Sequence, residues 1–212
     1  RRHTRFSTTL FQSFICGSLM RIISGLYGGR KINPPGDMPH TRPTTDIARE
    51  GLFNVLQNNL EFENLKTLDL FGGTGCISYE LASRGVDDLT IVEKDTAMYE
   101  FIKKTSKELD IPNFKLIKGE VFKFIESCTD QFDFIFAGPP YALGTIDELP
   151  IKIFEKKLLK PKGWFVLEHT PRNDYKKFAH YKAERNYGTT IFSIFIEDRS
   201  QGRDRGGALQ AT

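Results

Sequence analysis

From about residue 66 onward, short runs of β-branched and aromatic residues alternate with longer segments whose apolar residues recur at helical spacing. That alternation constrains the fold more than any other feature. Successive parallel strands need a crossover of a dozen or more residues, and the crossover is usually a helix that packs on the sheet. The strand patterns fall at 67–71, 89–93, 114–117, 132–137 and 164–168, with later ones near 181–185 and 190–196. Helical patterns fill about 76–84, 96–109, 120–127 and 147–158. The reading is an α/β domain with a seven-stranded, mostly parallel sheet covered on both faces. The last two strands are joined by the short Asn186-Tyr187-Gly188 turn, so they are expected as an antiparallel hairpin at the sheet edge.

Ahead of this domain, Arg21-Ile22-Ile23-Ser24 and Lys31-Ile32 are strand-like around Gly28-Gly29, and a proline-rich connector follows. They predict a small N-terminal β-hairpin arm over 20–44. Thr44 or Thr45 can cap the next helix, since a threonine hydroxyl satisfies its free N–H groups; Ile47, Leu52, Val55 and Leu56 form its apolar stripe. Residues 1–19 are rich in Arg, Ser, Thr and Phe without an acid, like a targeting leader, but no small-residue cleavage site follows and Met20 reads as a start. They are expected to be a disordered or non-native extension, and the Gly-, Arg- and Gln-rich 199–212 a disordered tail. The α/β domain itself is assigned to 45–198.

With 39% hydrophobic and 27% charged residues the composition is that of an ordinary globular protein, and no apolar run is long enough to span a bilayer. Cys16, Cys76 and Cys128 lack the spacing of a zinc site or redox pair, which points to a reducing, cytoplasmic setting and no structural metal. The net charge is +3, but the two ends hold +5, which leaves −2 for the residues between them. Whole-chain charge therefore gives no argument for a polyanion, and any nucleic-acid site must be local. Arg21, Arg30, Lys31, Arg42 and Arg49 form a candidate basic patch, with solvated surface as the alternative.

The chemistry concentrates at strand ends. Asp69-Leu70-Phe71-Gly72-Gly73-Thr74-Gly75 is an apolar strand running into a glycine-rich turn that opens a helix. Glycines admit close backbone approach, and a helix N-terminus offers unpaired N–H groups. A dinucleotide fingerprint would need a glycine at position 78, where Ser78 stands, and a carboxylate at Asp69 repels pyrophosphate. A methionine ammonium suits it better, so the expected cofactor is S-adenosylmethionine rather than NAD; a tight turn without ligand is the alternative. Glu93, at the end of the next strand and 18 residues beyond Gly75, sits where a carboxylate accepts ribose hydroxyls. The alternative is a surface ion pair with the neighbouring Lys94, itself a candidate cofactor contact. Glu120 and Val121 follow the third strand, where an adenine would meet a carboxylate and an apolar cover; Glu120 equally suits a helix start. Gly138, Pro139, Pro140 and Tyr141 end the fourth strand. Two prolines fix carbonyls that can hold a substrate amine, and the tyrosine can stack on a flipped base, so this turn is the candidate catalytic segment. A proline turn ending a buried strand is its plainer reading. His3, His40, His169 and His180 are scattered, with no nucleophile motif beside them.

These motifs together resemble the RsmD family, bacterial methyltransferases acting on guanine N2 of small-subunit (16S) ribosomal RNA. The resemblance runs over 20–196. Its specific part is Arg21-Ile22-Ile23-Ser24-Gly25 with Gly29-Arg30-Lys31, and Arg42-Pro43-Thr44-Thr45-Asp46 with Arg49-Glu50; Tyr187-Gly188-Thr189 adds to it. It implies a Rossmann-like class I fold that acts as a monomer on ribosomal RNA or a small-subunit assembly particle. S-adenosylmethionine would be held by Asp69, Phe71, Gly72, Gly73, Gly75, Glu93, Lys94, Glu120 and Val121. RNA would be met by Arg21, Arg30, Lys31, Arg42, Thr44, Thr45 and Arg49. The family pattern has Asp or Asn before Pro-Pro-Tyr, and here that residue is Gly138, so the side-chain acceptor for the target amine is missing. Methylation of DNA adenine or protein glutamine is an alternative, as is an RNA-binding assembly factor without turnover.

Overall fold

The computed structural model describes residues 19–35, 44–111 and 114–198. Positions 1–18, the tail at 199–212 and Arg42 lie outside the described residues. The main sheet contains β3 (Lys66–Leu70), β4 (Asp88–Glu93), β5 (Phe114–Lys118), β6 (Phe132–Ala137), β7 (Leu159–His169), β8 (Tyr181–Tyr187) and β9 (Thr190–Ile196). Their order across the sheet is β5-β4-β3-β6-β7-β9-β8. The five strands β3 to β7 are parallel to one another, while β9 is antiparallel to both β7 and β8. The hairpin at the edge thus has its later strand inside. The apolar run Thr190–Ile196 is almost wholly buried there, whereas β8 keeps polar residues for the solvent side.

Alternate strand residues feed two cores. Leu68, Leu70, Ile135 and Leu167 pack with Val121 and Ile125 of α4 (Val121–Ser127) and Leu149 and Ile153 of α5 (Glu148–Glu155). On the other face, Ile91, Phe134, Phe136 and Val166 meet α1 (Asp46–Gln57), α2 (Cys76–Ser83) and α3 (Thr96–Glu108). Burial on both faces explains the near-continuous apolar runs, and each fully buried Leu or Phe contributes roughly 1.5–3 kcal/mol. Thr45 is the N-cap of α1, its hydroxyl accepting from Ala48 N at 3.2 Å. Ala48, Leu52 and Leu56 then share the inner face at four-residue spacing. Ile47, expected in that stripe, is about 100° round the helix from Ala48 and 75% exposed.

The N-terminal hairpin forms, with β1 (Met20–Arg21) antiparallel to β2 (Lys31–Ile32), but it is docked along α2 rather than projecting as an arm. Buried Glu80 accepts from Ile23 N at 2.8 Å and Ser24 N at 3.1 Å, and Ser83 Oγ accepts from Tyr27 N at 2.9 Å. Met20, Ile22, Tyr27 and Ile32 complete a third apolar cluster with Tyr79 and Leu109. Gly25 has φ +82°, and a Cβ there would collide with the Ser83 carbonyl, so the turn can close on α2 only with glycine.

Candidate active site

The chain leaves β3 for β4 and β5 on one side and returns to β6 and β7 on the other, so the strand order switches between β3 and β6. Ligands of open α/β sheets bind at such switch points, beyond the carboxyl ends of the strands. A cavity of about 460 Å³ opens there, walled by the turns after β3, β4 and β6, the start of α4 and the end of β7. Its size suits a nucleoside-sized molecule.

The first wall is the glycine turn. Phe71 has φ +66°, a costly conformation for an aromatic residue, and Gly72 N donates to Val92 O at 3.0 Å. A Cβ on Gly72 would stand 2.6 Å from Ile91 Cγ2. Phe71, Gly72, Gly73 and Asp69 line the cavity directly. Gly75 does not: at φ +78° it begins α2, and a Cβ there would meet the Tyr79 ring at 2.6 Å, so its part is to let the turn form. Ser78, at the position where a dinucleotide site has glycine, donates its hydroxyl proton to Asp69 Oδ2 at 2.5 Å and fixes that carboxylate.

Glu93 closes the second wall. Its Oε2 accepts from Gly73 N and its Oε1 from Asp95 N, each at 2.7 Å, so the carboxylate is clamped between the glycine turn and the start of α3. Lys94 lines the cavity as an exposed neighbour and makes no ion pair with it among the described residues. Glu120 is the N-cap of α4, accepting from Lys123 N at 3.0 Å, and also lines the cavity beside buried Val121. Capping α4 and facing the cavity are therefore compatible in one residue.

Gly138, Pro139, Pro140 and Tyr141 form the third wall, with Tyr141 41% exposed at the mouth. Glu168, at the penultimate position of β7, completes it and was not singled out from the sequence. It is 4% exposed; Oε2 accepts from Thr44 Oγ1 at 2.6 Å and Oε1 from Tyr141 Oη at 3.4 Å. The signal that finds Glu93, a carboxylate at the carboxyl end of a parallel strand, applies to Glu168 equally.

Electrostatics single this cavity out. Burial, reinforced by Glu93 and Glu168, raises the Asp69 pKa to about 7 despite the Ser78 hydrogen bond. Burial also pushes Glu93 and Glu168 above the usual carboxylate range, against the hydrogen bonds that hold them. No lysine or arginine side-chain charge among the described residues offsets these shifts, so the site asks for a ligand that brings positive charge and hydroxyl or amine donors.

The basic residues divide. Arg21, Arg30 and Lys31 are exposed on the hairpin, Arg21 paired with Asp46 at 3.0 Å and Arg30 lying over the Tyr27 ring. Arg49 is a correction to the sequence reading. It is 1% exposed, and its guanidinium donates to Arg21 O and to Asp46, so it ties the hairpin to α1 instead of facing a phosphate. Thr44 is buried with its hydroxyl donating to Glu168, so it is not a surface donor, whereas exposed Thr45 caps α1 through its oxygen and keeps its proton to donate. No helix among the described residues is long and apolar enough to cross a membrane.

Comparison with known proteins places this fold among methyltransferases. The family model described as "Conserved hypothetical protein 95" matches residues 20–196. The ribosomal RNA small subunit methyltransferase D of Buchnera aphidicola subsp. Acyrthosiphon pisum (strain APS) is 32% identical over 169 residues, covering 78% of this chain and 87% of that protein. Among solved structures, a putative methyltransferase, yhhF, from Escherichia coli superposes with a TM-score of 0.74 at 25% identity, covering 86% of this chain and 99% of that one. The T. thermophilus 16S rRNA N2 G1207 methyltransferase RsmC, in complex with AdoMet and guanosine, shares the fold at a TM-score of 0.63 and 20% identity, covering 84% of this chain and 49% of that one. With the family match spanning most of its length and a relative of this identity and coverage, the chain belongs to the family of the ribosomal RNA small subunit methyltransferase D proteins.

Proposed function

We propose that this protein transfers a methyl group from S-adenosylmethionine to the exocyclic N2 of a guanine in small-subunit ribosomal RNA, acting as a monomer in the cytoplasm on RNA or an assembling particle. The observation that carries the reading is the cavity at the switch point, where Asp69, Glu93 and Glu168 gather with the rigid Gly138-Pro139-Pro140 turn, Glu168 beside it, and no paired cation among the described residues. The names of the relatives support the ribosomal substrate, and the T. thermophilus neighbour supports guanine N2 on this fold.

The donor set fits that cofactor. Asp69 takes the ammonium of the methionine moiety, Glu93 the ribose hydroxyls, and Glu120 with Val121 the adenine edge and face. When bound, S-adenosylmethionine supplies a methyl group on a positively charged sulfur. The chain's own residues do the rest by placement. Pro139 and Pro140 fix the backbone so that carbonyls at Gly138 and Pro139 accept from the amine, and Tyr141 stacks on the base at the mouth. The exocyclic nitrogen's lone pair is delocalised into the ring, so acceptors that hold its N–H groups out of plane localise it toward the methyl. Orientation of this kind supplies up to about 7–11 kcal/mol of a bimolecular barrier. Arg21, Arg30 and Lys31 meet phosphates along the hairpin, and Arg42 belongs to the same patch by sequence.

Labelled S-adenosylmethionine, offered in parallel to small-subunit RNA, an adenine-containing DNA duplex and a glutamine-bearing protein fraction, tests the substrate class. Label is expected in RNA alone. Label in DNA or protein and none in RNA would overturn the reading.

A further inference from the structure

An amine presented to the Pro139-Pro140 turn finds carbonyls but no side-chain acceptor from position 138, because that residue is glycine. The space is not empty of acceptors. Ala137 pairs with Leu167 in the parallel β6–β7 register, so Gly138 and Glu168 are the next residues along two adjacent strands. Phe136 and Val166, two residues earlier on each strand, both face the α1 side of the sheet, so alternation turns positions 138 and 168 the same way. A Cβ built on Gly138 would stand 3.7 Å from Glu168 Oε2. A carboxylate rooted on β7 thus occupies the neighbourhood that a short side chain rooted on β6 would reach.

We propose that Glu168 is a catalytic residue, the side-chain acceptor for the substrate's exocyclic amine, supplied from β7 in place of one from position 138. The proposal rests on the methyl-transfer reading above and deepens it. Glu168 lines the cavity beside Gly138 and Tyr141. Each of its oxygens is steadied by one hydroxyl, Thr44 on Oε2 and Tyr141 on Oε1, and a carboxylate with about four lone-pair sites retains capacity for an N–H. Through the same bond, Thr44 docks the segment before α1 onto the acceptor. A carboxylate that only packed there would burden the fold, since burial disfavours its charge and no cation among the described residues compensates.

The step balances. The amine donates one N–H to Glu168, and its nitrogen lone pair forms the new N–C bond to the methyl carbon. The C–S bond breaks with its electron pair returning to sulfur, which becomes a neutral thioether. The alkylated nitrogen, now cationic, releases its proton to the Glu168 carboxylate, which passes it to solvent.

Single-turnover methyl transfer to RNA should be measured for the unmodified protein, Glu168→Gln, Gly138→Asp and the Gly138→Asp/Glu168→Gln double variant. Affinity for S-adenosylmethionine by calorimetry and thermal midpoint are measured on each. Loss of a transition-state acceptor predicts that Glu168→Gln slows transfer on the order of 10²-fold. Its cofactor affinity should stay near that of the unmodified protein, and its thermal midpoint should not fall, because the substitution removes a buried charge that opposes folding. The double variant should recover most of the rate, because the carboxylate returns from position 138. Gly138→Asp alone should be slower and less stable, with two carboxylates competing for one space. The inference is overturned if Glu168→Gln transfers within about threefold of the unmodified rate, a difference too small for a lost acceptor. It is also overturned if Glu168→Gln loses cofactor binding, or if the double variant binds cofactor normally yet is no faster than Glu168→Gln. An unmodified protein that methylates no RNA would sink the functional reading itself, and this inference with it.

Discussion

Asp69 is 2% exposed, and its pKa is raised from an ordinary 3.8 to about 7 by burial, with Glu93 and Glu168 adding to the rise. A folded-state pKa above the unfolded one means that the charged form opposes folding. The penalty is absent below about pH 4, grows through the interval and is complete above pH 7, where both states are ionised. A rise of this size corresponds to about 4 kcal/mol. Asparagine keeps an oxygen for the Ser78 hydroxyl and removes the charge. Asp69→Asn should therefore stabilise the cofactor-free protein by up to about 4 kcal/mol at pH 8, shrinking to roughly 1–2 kcal/mol at pH 5. In thermal midpoint the gain at pH 8 is on the order of 10 °C, at about 2–4 °C per kcal/mol for a domain of this size. The same variant loses the partner of the methionine ammonium, so its affinity for S-adenosylmethionine should fall on the order of 10²-fold, a trade of function for stability. Thermal and urea unfolding at the two pH values read the first effect, and calorimetry the second. An Asp69→Asn protein no more stable than the parent at pH 8, or equally stabilised at both, would refute the reasoning.

Other consequences are as direct. Arg30→Ala with Lys31→Ala should weaken RNA binding and reduce the slope of log affinity against log salt by about 2, through two fewer released counterions, read by fluorescence anisotropy. An unchanged slope would take the hairpin off the RNA face. Glu80→Gln removes the charge that holds Ile23 N, Ser24 N and Arg84 together, so it should cost about 2–4 kcal/mol in urea unfolding and make the hairpin the first site of proteolysis. Unaltered proteolysis would show that the apolar cluster around Tyr27 alone docks it.

The parallel sheet was legible because its strands, buried on both faces, leave apolar runs that stand out from helical spacing. The cavity lining was legible for a related reason: Asp69, Glu93 and Glu120 lie at or close to strand ends, where position along the chain and position in space coincide. What the sequence concealed depends on neighbours that only tertiary structure supplies. β7 begins at Leu159, not near Trp164, because Lys160-Pro161-Lys162-Gly163 looks like a turn but continues the ladder past a bulge. Arg49 looks like one more cation in a basic run, yet Arg21 O and Asp46 draw it inside. The hairpin's docking hinges on Glu80, which sits amid a helix and shows no sign of accepting from a chain more than 50 residues away. Glu168 matters because β7 lies beside β6, an adjacency set by topology.

The most direct test of the central claim is nucleoside analysis of small-subunit RNA, taken from cells lacking this protein, after incubation with the purified chain and labelled S-adenosylmethionine. The account predicts a single labelled product, N2-methylguanosine. Label in an adenine or cytosine nucleoside would contradict the placement of a guanine amine at the Gly138-Pro139-Pro140 turn, and the absence of any labelled nucleoside would contradict the assignment of methyl transfer to this cavity.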